Sequence, residues 1–222
     1  MSKSQVIIFV TDENYLDHVK SIAINCREQG RYKGDFALIC PHSDEIRKEF
    51  ESYGFHVLER GSKTFFQKFY VFDEYFKKWE FALYLDCDCV IQDDLERMFS
   101  LIYNEGDKIF MDTEDGSTIQ TFWRDNEKDK NKDIYDWMIE NYPHVTNQTF
   151  NTSLMLFKPE YICSNVPQKL IEIQEQVKRV NSPENLGTDQ QIINLLLWPK
   201  TKKNSKQTNL LLGVGRTSKR CR

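Results

Sequence analysis

Apolar residues in this chain fall into two patterns, short unbroken runs and stretches where they recur every three or four positions. The runs are Gln5–Val10 (Q-V-I-I-F-V), Asp35–Cys40 (D-F-A-L-I-C), residues 55–58 (F-H-V-L) and Phe81–Leu85 (F-A-L-Y-L). All four read as strands, and the uninterrupted Phe81–Leu85 suits one buried on both faces of a parallel sheet. Between them, Tyr15, Leu16, Val19, Ile22, Ala23 and Cys26 predict a helix with Gly30 beyond its end. Ile46, Phe50 and Tyr53 predict a second helix that stops at Gly54, and Phe65, Phe69, Phe72 and Phe76 a third helical face. The resulting β-α-β-α-β-α-β order calls for right-handed crossovers: one Rossmann-like α/β domain with a mostly parallel central sheet flanked by helices.

The second half is less regular. Residues 92–99 predict a short helix, 108–112 a strand, and 113–149 a polar excursion with a helix-like patch at Ile134, Trp137 and Met138. A long segment of that kind faces substrate more often than it builds core. Residues 150–157 return to strand character and end at Lys158-Pro159. Leu170, Ile173 and Val177 predict a helix, and Gly187-Thr-Asp-Gln-Gln opens another with Thr188 as its cap.

Composition narrows this picture. At 222 residues with 40% hydrophobic and 13% aromatic content, the chain holds enough apolar side chain for one packed α/β domain. No apolar run approaches the ~18 residues needed to cross a bilayer. Met-Ser-Lys-Ser-Gln leads straight into the first run, so no signal peptide or anchor is expected and a cytoplasmic location is. The six cysteines include no C-x-x-C pair, which reads as reduced thiols rather than a disulfide framework or zinc site, and gives the sequons at Asn147 and Asn151 little weight. After Pro199 come eight of the 30 Lys/Arg and no acid. An acidic body, residues 1–199, therefore carries a basic tail, residues 200–222. The tail is either a solvated end or a segment that closes over an anionic ligand.

Candidate chemistry concentrates where the fourth run ends. Asp86 and Asp88 follow Phe81–Leu85 directly, and in an extended segment their side chains would project together, with Cys87 and Cys89 pointing the other way. Two carboxylates so placed repel unless a cation sits between them. Open α/β sheets bind ligands at the carboxyl ends of their strands. Hard oxygen donors there suit Mg²⁺ or Mn²⁺, ions that share their coordination with substrate phosphates, so the implied ligand is a diphosphate. The bland reading of D-x-D is a solvated turn, and of the two cysteines, packing.

Four motifs together resemble the GT-A glycosyltransferases, in particular the retaining, glycogenin-like family 8 group, across most of residues 5–198. They are V-T-D-E-N-Y at 10–15, Lys68 in F-F-Q-K-F, Y-L-D-C-D at 84–88, and the pair F-N-T-S-L-M-L-F-K-P at 150–159 with G-T-D-Q-Q at 187–191. The small size also resembles the short GT-A enzymes encoded by large algal viruses. The resemblance implies that Val10, Thr11 and Tyr15 hold the nucleotide base, that Lys68 lies near the nucleotide sugar, and that Asp86 and Asp88 bind Mn²⁺ or Mg²⁺. It implies further that Asn151, Asp189 and Gln190 lie beside the transferred sugar. Asp189 would orient the sugar or steady the oxocarbenium-like centre. The implied activity is transfer of a sugar, with retention, from a nucleoside diphosphate sugar, UDP by resemblance, to a glycan or glycoprotein acceptor.

Two positions depart from the family pattern. Ser153 stands where the family has Gly, and the late His that commonly supplies a third metal ligand is missing, since His18, His42, His56 and His144 all precede that region. The tail's L-G-V-G-R-T-S-K at 212–219 offers glycines and cations instead. Structural roles compete with each assignment: Thr11 as a helix cap, Tyr15 as core, Lys68 on a solvent face, Asn151 satisfying a backbone group, Asp189 as a first-turn carboxylate. Asp112 and Asp115 are candidates for the acceptor side. The rival functions are a nucleotide-sugar- or carbohydrate-binding protein with reduced catalysis and a haloacid-dehalogenase-like phosphatase. The latter normally carries its D-x-D on the first strand, whereas here it follows the fourth.

Overall fold

The computed structural model describes residues 4–60, 65–118, 132–144, 147–180 and 188–203. Seven strands among them form one sheet in the order β3-β2-β1-β4-β6-β5-β7. Strands β1 (Gln5–Val10), β2 (Asp35–Cys40), β3 (Phe55–Glu59) and β4 (Phe81–Leu85) are all parallel. The central residues of β1, β2 and β4 are buried, which is why the sequence shows unbroken apolar runs there rather than alternation, while edge strand β3 is half-buried at His56 and Val57. Helices α1 (Leu16–Glu28) and α2 (Asp44–Ser52) make the crossovers; Val19, Ile22, Ala23 and Cys26 of α1 are buried at the expected spacing.

The other half departs from a purely parallel plan. Strand β6 (Gln148–Phe157) runs antiparallel to β4 on one side and to β5 (Ile109–Thr118) on the other, while β7 (Thr201–Lys203) pairs parallel with β5. Strand direction leaves no trace in an apolar run, so this reversal was invisible to periodicity. Strand β5 continues beyond residue 112 with register shifts after Met111 and Thr113, taking in part of the expected excursion. Residues from Thr201, expected as tail, begin with β7; residues 204–222, including the glycines and cations at 212–219, lie outside the described residues. The short helices α3 (Leu95–Ser100), α4 (Lys132–Asn141) and α5 (Pro159–Ile162) precede α6 (Val166–Val180) and α7 (Asp189–Leu197).

The Phe-rich segment forms two 3₁₀ helices, Phe65–Phe72 and Glu74–Lys78, rather than one α-helix. With three residues per turn, Phe66, Phe69 and Phe72 share a column. Phe66 and Phe69 touch at 5.3 Å between ring centroids, and Phe72 meets Phe157 of β6 at 5.3 Å. Gln67 and Val71, on other columns, are buried too. A helix packed on so many sides has little solvent face to offer a lysine, and this determines what Lys68 does.

Candidate active site

Antiparallel β6 brings its first half alongside the carboxyl end of β4. Leu85 pairs with Leu154, and one step further the Asp86 N–H donates to the Ser153 carbonyl at 2.8 Å. Strand β4 ends at Leu85. Asp86 to Cys89 then form a turn, closed by the Cys89 N–H donating to the Asp86 carbonyl at 3.1 Å. The two carboxylates are therefore presented by a turn and not by the alternation of a strand, because β6 takes up the Asp86 amide and the next residues fold back. Asp86 is half-buried and Asp88 exposed; Cys87 and Cys89 pack against the core edge. Burial first, and then the charges of Asp86 and Asp88, push the Cys87 thiol up to about 11 and Cys89 up to about 12, so both stay neutral thiols, as a packing role requires. Beyond the turn, the Ile91 N–H donates to Asn25 Oδ1 at 2.6 Å and the Leu95 N–H to the Gly30 carbonyl at 3.0 Å, so α1 holds the exit.

Lys68 joins two of the motifs through their acids. Its Nζ lies 3.0 Å from Asp86 Oδ1 and 2.8 Å from Asp189 Oδ2; the Lys68 and Asp189 side chains are each 14% exposed and that of Asp86 28%. At such exposure the pairs are screened far less than surface ion pairs. Burial alone would lower the lysine, but the two carboxylates outweigh it and hold the ammonium above its ordinary value. The Lys68 ammonium also lies 5.2 Å from the centroid of the Tyr84 ring. The Tyr84 hydroxyl donates to Asp86 Oδ1, and burial followed by the Asp86 charge keeps that phenol protonated. Lys68 is thus no surface lysine.

Asp189 opens α7. Thr188 caps the helix through a capping box, its Oγ1 accepting from the Gln191 N–H at 3.3 Å while Gln191 Oε1 accepts from the Thr188 N–H at 2.6 Å. A carboxylate in that first turn is favoured by the helix dipole. Asp189 thus fills the first-turn position expected of it and also reaches Lys68. Gln190 Oε1 accepts from the Thr152 N–H at 3.4 Å. Deeper in the helix, buried Asn194 clamps β6 by donating to the Phe150 carbonyl and accepting from its N–H, both at 2.8 Å. Asn151 Oδ1 accepts from the Ser153 N–H at 2.7 Å, which is the backbone role open to it. Ser153, where the resemblance expected Gly, has both backbone groups engaged, its N–H by Asn151 and its carbonyl by the Asp86 amide.

The remaining candidates lie along the same edge. Ile8 of β1 pairs with Tyr84, which puts Val10 at the level of Asp86, two residues beyond that pair on each strand. Thr11 is buried, its N–H donating to the Ile39 carbonyl at 3.0 Å and its hydroxyl to the Asp12 carbonyl at 2.9 Å. It does not cap α1, whose N-cap is Tyr15 without a side-chain bond. Tyr15 is 51% exposed, so it is not core and its ring is open to a ligand. Asp112 pairs in register with Asn151, bringing it to the same rim; the side chain of Asp115 and Gly187 lie outside the described residues. Sequence reasoning missed Tyr84 and Asn194. Tyr84 had a signal, since it opens the Y-L-D-C-D motif at 84–88. Asn194 had none beyond its place in an apolar helix.

Among the described residues no group of three or more His, Cys, Asp or Glu is arranged to hold a metal. Asp86 Oδ2 makes no hydrogen bond or ion pair among the described residues, and Asp88 is exposed at the mouth of the turn. Two carboxylate donors fit a hard divalent ion whose other positions go to phosphate and water.

The model of glycosyl transferase family 8 matches residues 40–221. The chain belongs to glycosyltransferase family 8. No curated protein sequence matches it. Among solved structures it is similar to the glycosyltransferase GlyE of Streptococcus pneumoniae TIGR4, with 18% identity and TM-score 0.59 over 90% of this chain and 45% of that one. It is similar also to the galactosyltransferase LgtC in complex with donor and acceptor sugar analogs, with 15% identity and TM-score 0.59 over 89% of this chain and 72% of that one. The bifunctional glycosyltransferase WbbM matches at 11% identity and TM-score 0.58, over 91% of this chain and 39% of that one. These GT-A glycosyltransferases share the fold, and the chain spans under half the length of GlyE. No described helix is long and apolar enough to cross a membrane.

Proposed function

We propose that this family 8 member transfers a sugar, with retention, from a nucleoside diphosphate sugar, with UDP as the nucleotide, to a hydroxyl of a glycan or glycoprotein acceptor. The observation that carries the reading is the Asp86–Lys68–Asp189 bridge. It draws together three segments far apart in sequence at the carboxyl edge of the sheet, where α/β folds bind ligands. Membership of the family and likeness to a galactosyltransferase crystallised with donor and acceptor analogs support it.

Val10, Thr11 and Tyr15 would take the base beside the end of β1. Asp86 and Asp88 would hold Mn²⁺ or Mg²⁺, which when bound supplies positive charge to a departing diphosphate. Lys68 adds a second positive charge at the same oxygens, fixed before reaction by its helix and so needing no reorganisation. Asn151, Asp189 and Gln190 flank the place of the transferred sugar. Asp189 stands as an anion beside the anomeric centre, where positive charge grows as the bond to the diphosphate oxygen breaks. The acceptor oxygen forms the new bond to that carbon, and its proton leaves with the diphosphate. Asp112, level with Asn151, lies toward the acceptor. We take residues 1–199, completed by β7, as the catalytic unit, with the basic tail beyond it.

A panel of nucleotide sugars, incubated with and without Mn²⁺, tests this. Wild-type protein is expected to release UDP from one of them only when metal is present, and Asp88→Ala to lose at least ~10²-fold of that rate, the scale of removing one electrostatic catalytic group. An Asp88→Ala variant that folds normally and keeps the full metal-dependent rate rules the assignment out. Binding of nucleotide sugar without turnover identifies a binding protein instead.

A further inference from the structure

The donor site contains a cation of its own. The Lys68 ammonium sits on Asp86 Oδ1, the oxygen that also accepts from Tyr84, and reaches across to Asp189 Oδ2. A divalent ion on Asp86 would share that small carboxylate with the ammonium, and like charges so close in a site only 28% open at Asp86 repel strongly. Nor can Lys68 simply turn to water. It projects from a 3₁₀ helix whose neighbouring Gln67, Phe69 and Val71 are buried, and its own side chain is 14% exposed. On leaving Asp86 it keeps Asp189 and needs one further anion. The diphosphate of a bound nucleotide supplies it at the same edge.

Resting on the donor-site reading, we infer that Lys68 is a resident counter-ion which the metal displaces from Asp86 and the diphosphate then receives. Metal without nucleotide strips a buried ammonium of a partner, and nucleotide without metal meets a lysine already engaged by two carboxylates. Together each removes the other's obstacle. By linkage the tightening is mutual: nucleotide raises metal affinity by the factor by which metal raises nucleotide affinity. Lys68 also carries the signal from the metal-side acid to Asp189, since release from Asp86 leaves the ammonium to Asp189 and the phosphate. The sugar-side carboxylate is thereby set only when the complete donor is present.

The test is Mn²⁺ binding by full-length protein, followed by electron paramagnetic resonance of the free ion, with and without UDP, for wild type and Lys68→Met. Wild type is expected to bind Mn²⁺ alone weakly and about 10-fold or more tightly with UDP, within the usual range of coupling between sites. Lys68→Met is expected to bind Mn²⁺ alone about 10-fold tighter than wild type and to lose most of the gain from UDP. Equal binary affinity in the two proteins, or an undiminished gain from UDP in the variant, overturns the inference while leaving the donor site standing. No Mn²⁺ binding by wild type even with UDP overturns the donor site as well. Should Lys68→Met fail to fold, the lysine ammonium resonance of ¹⁵N-labelled wild type gives the answer with Mg²⁺. A shift of the Lys68 signal on adding Mg²⁺ and UDP together, larger than with either alone, supports exchange, and an unmoved signal refutes it.

Discussion

The two ends of the sheet each carry an aspartate surrounded by aromatic and basic side chains, yet the arrangements differ. At the amino end, Asp35 accepts from Trp79 Nε1 at 2.6 Å, and His56, whose ring meets Trp79 edge-on at 5.0 Å, stands 3.8 Å away. The Asp35 and His56 side chains are 54% and 41% exposed, so water can replace either partner. At the carboxyl end, Asp86 and Asp189 share one lysine that is mostly withdrawn from water. Similar residue types make a surface tie in one place and a mutually dependent charge network in the other. Burial and sharing, not residue type, set apart the end proposed as functional.

Substitutions at the two ends sharpen that contrast. Lys68→Met leaves two half-buried carboxylates facing each other without their cation, and breaking a buried ion pair from one side costs on the order of 3 kcal/mol. The expected result is a clearly lowered denaturation midpoint together with loss of sugar transfer. Asp35→Ala removes the exposed acceptor of the Trp79 hydrogen bond and leaves the buried ring in place, a loss of about 1 kcal/mol with transfer unchanged. Comparable costs from the two variants in denaturant melts would dissolve the distinction between the ends.

A smaller effect comes from His144, on the rim near the start of β6. Its Nε2–H donates to the Leu195 carbonyl at 3.0 Å and its ring stacks on Trp198 at 5.5 Å. Burial lowers its pKa more than the carbonyl raises it, so the folded protein binds the extra proton less readily than the unfolded chain. Stability from this residue is accordingly present above the unfolded value near 6.5 and declines as pH falls below it. Melts at pH 7.5 and about 5.5 should show a modest acid loss that His144→Gln reduces. An acid loss undiminished in the variant assigns it to other groups.

Much of this was legible in the sequence, and the rest was hidden for physical reasons. Strands β1, β2 and β4 announced themselves because burial on both faces demands unbroken apolar runs, and edge strand β3 through a shorter run broken by His56. The T-x-x-Q at 188–191 gave the cap of α7 through a bond pattern that is purely local. The conformation of the Phe-rich segment was misread because Phe65, Phe69, Phe72 and Phe76 fit an α-helix while Phe66, Phe69 and Phe72 fit three residues per turn equally well. The Asp86–Cys89 turn depends on β6 capturing the Asp86 amide, a contact between residues more than sixty positions apart. The burial of Lys68 depends on two acids, one of them over a hundred residues away. Motif resemblance named Lys68, Asp86 and Asp189 separately; only the fold revealed that one ammonium holds both acids.

The claim that these residues work as one unit is tested most directly by a double-mutant cycle on metal-dependent sugar transfer, with Asp86→Asn, Asp189→Asn and the pair. Residues acting as a unit are strongly non-additive. The expected result is that each single change costs at least ~10²-fold in kcat/KM and the double change little more than the worse single one. Losses that multiply in the double variant, as for independent sites, would contradict the account.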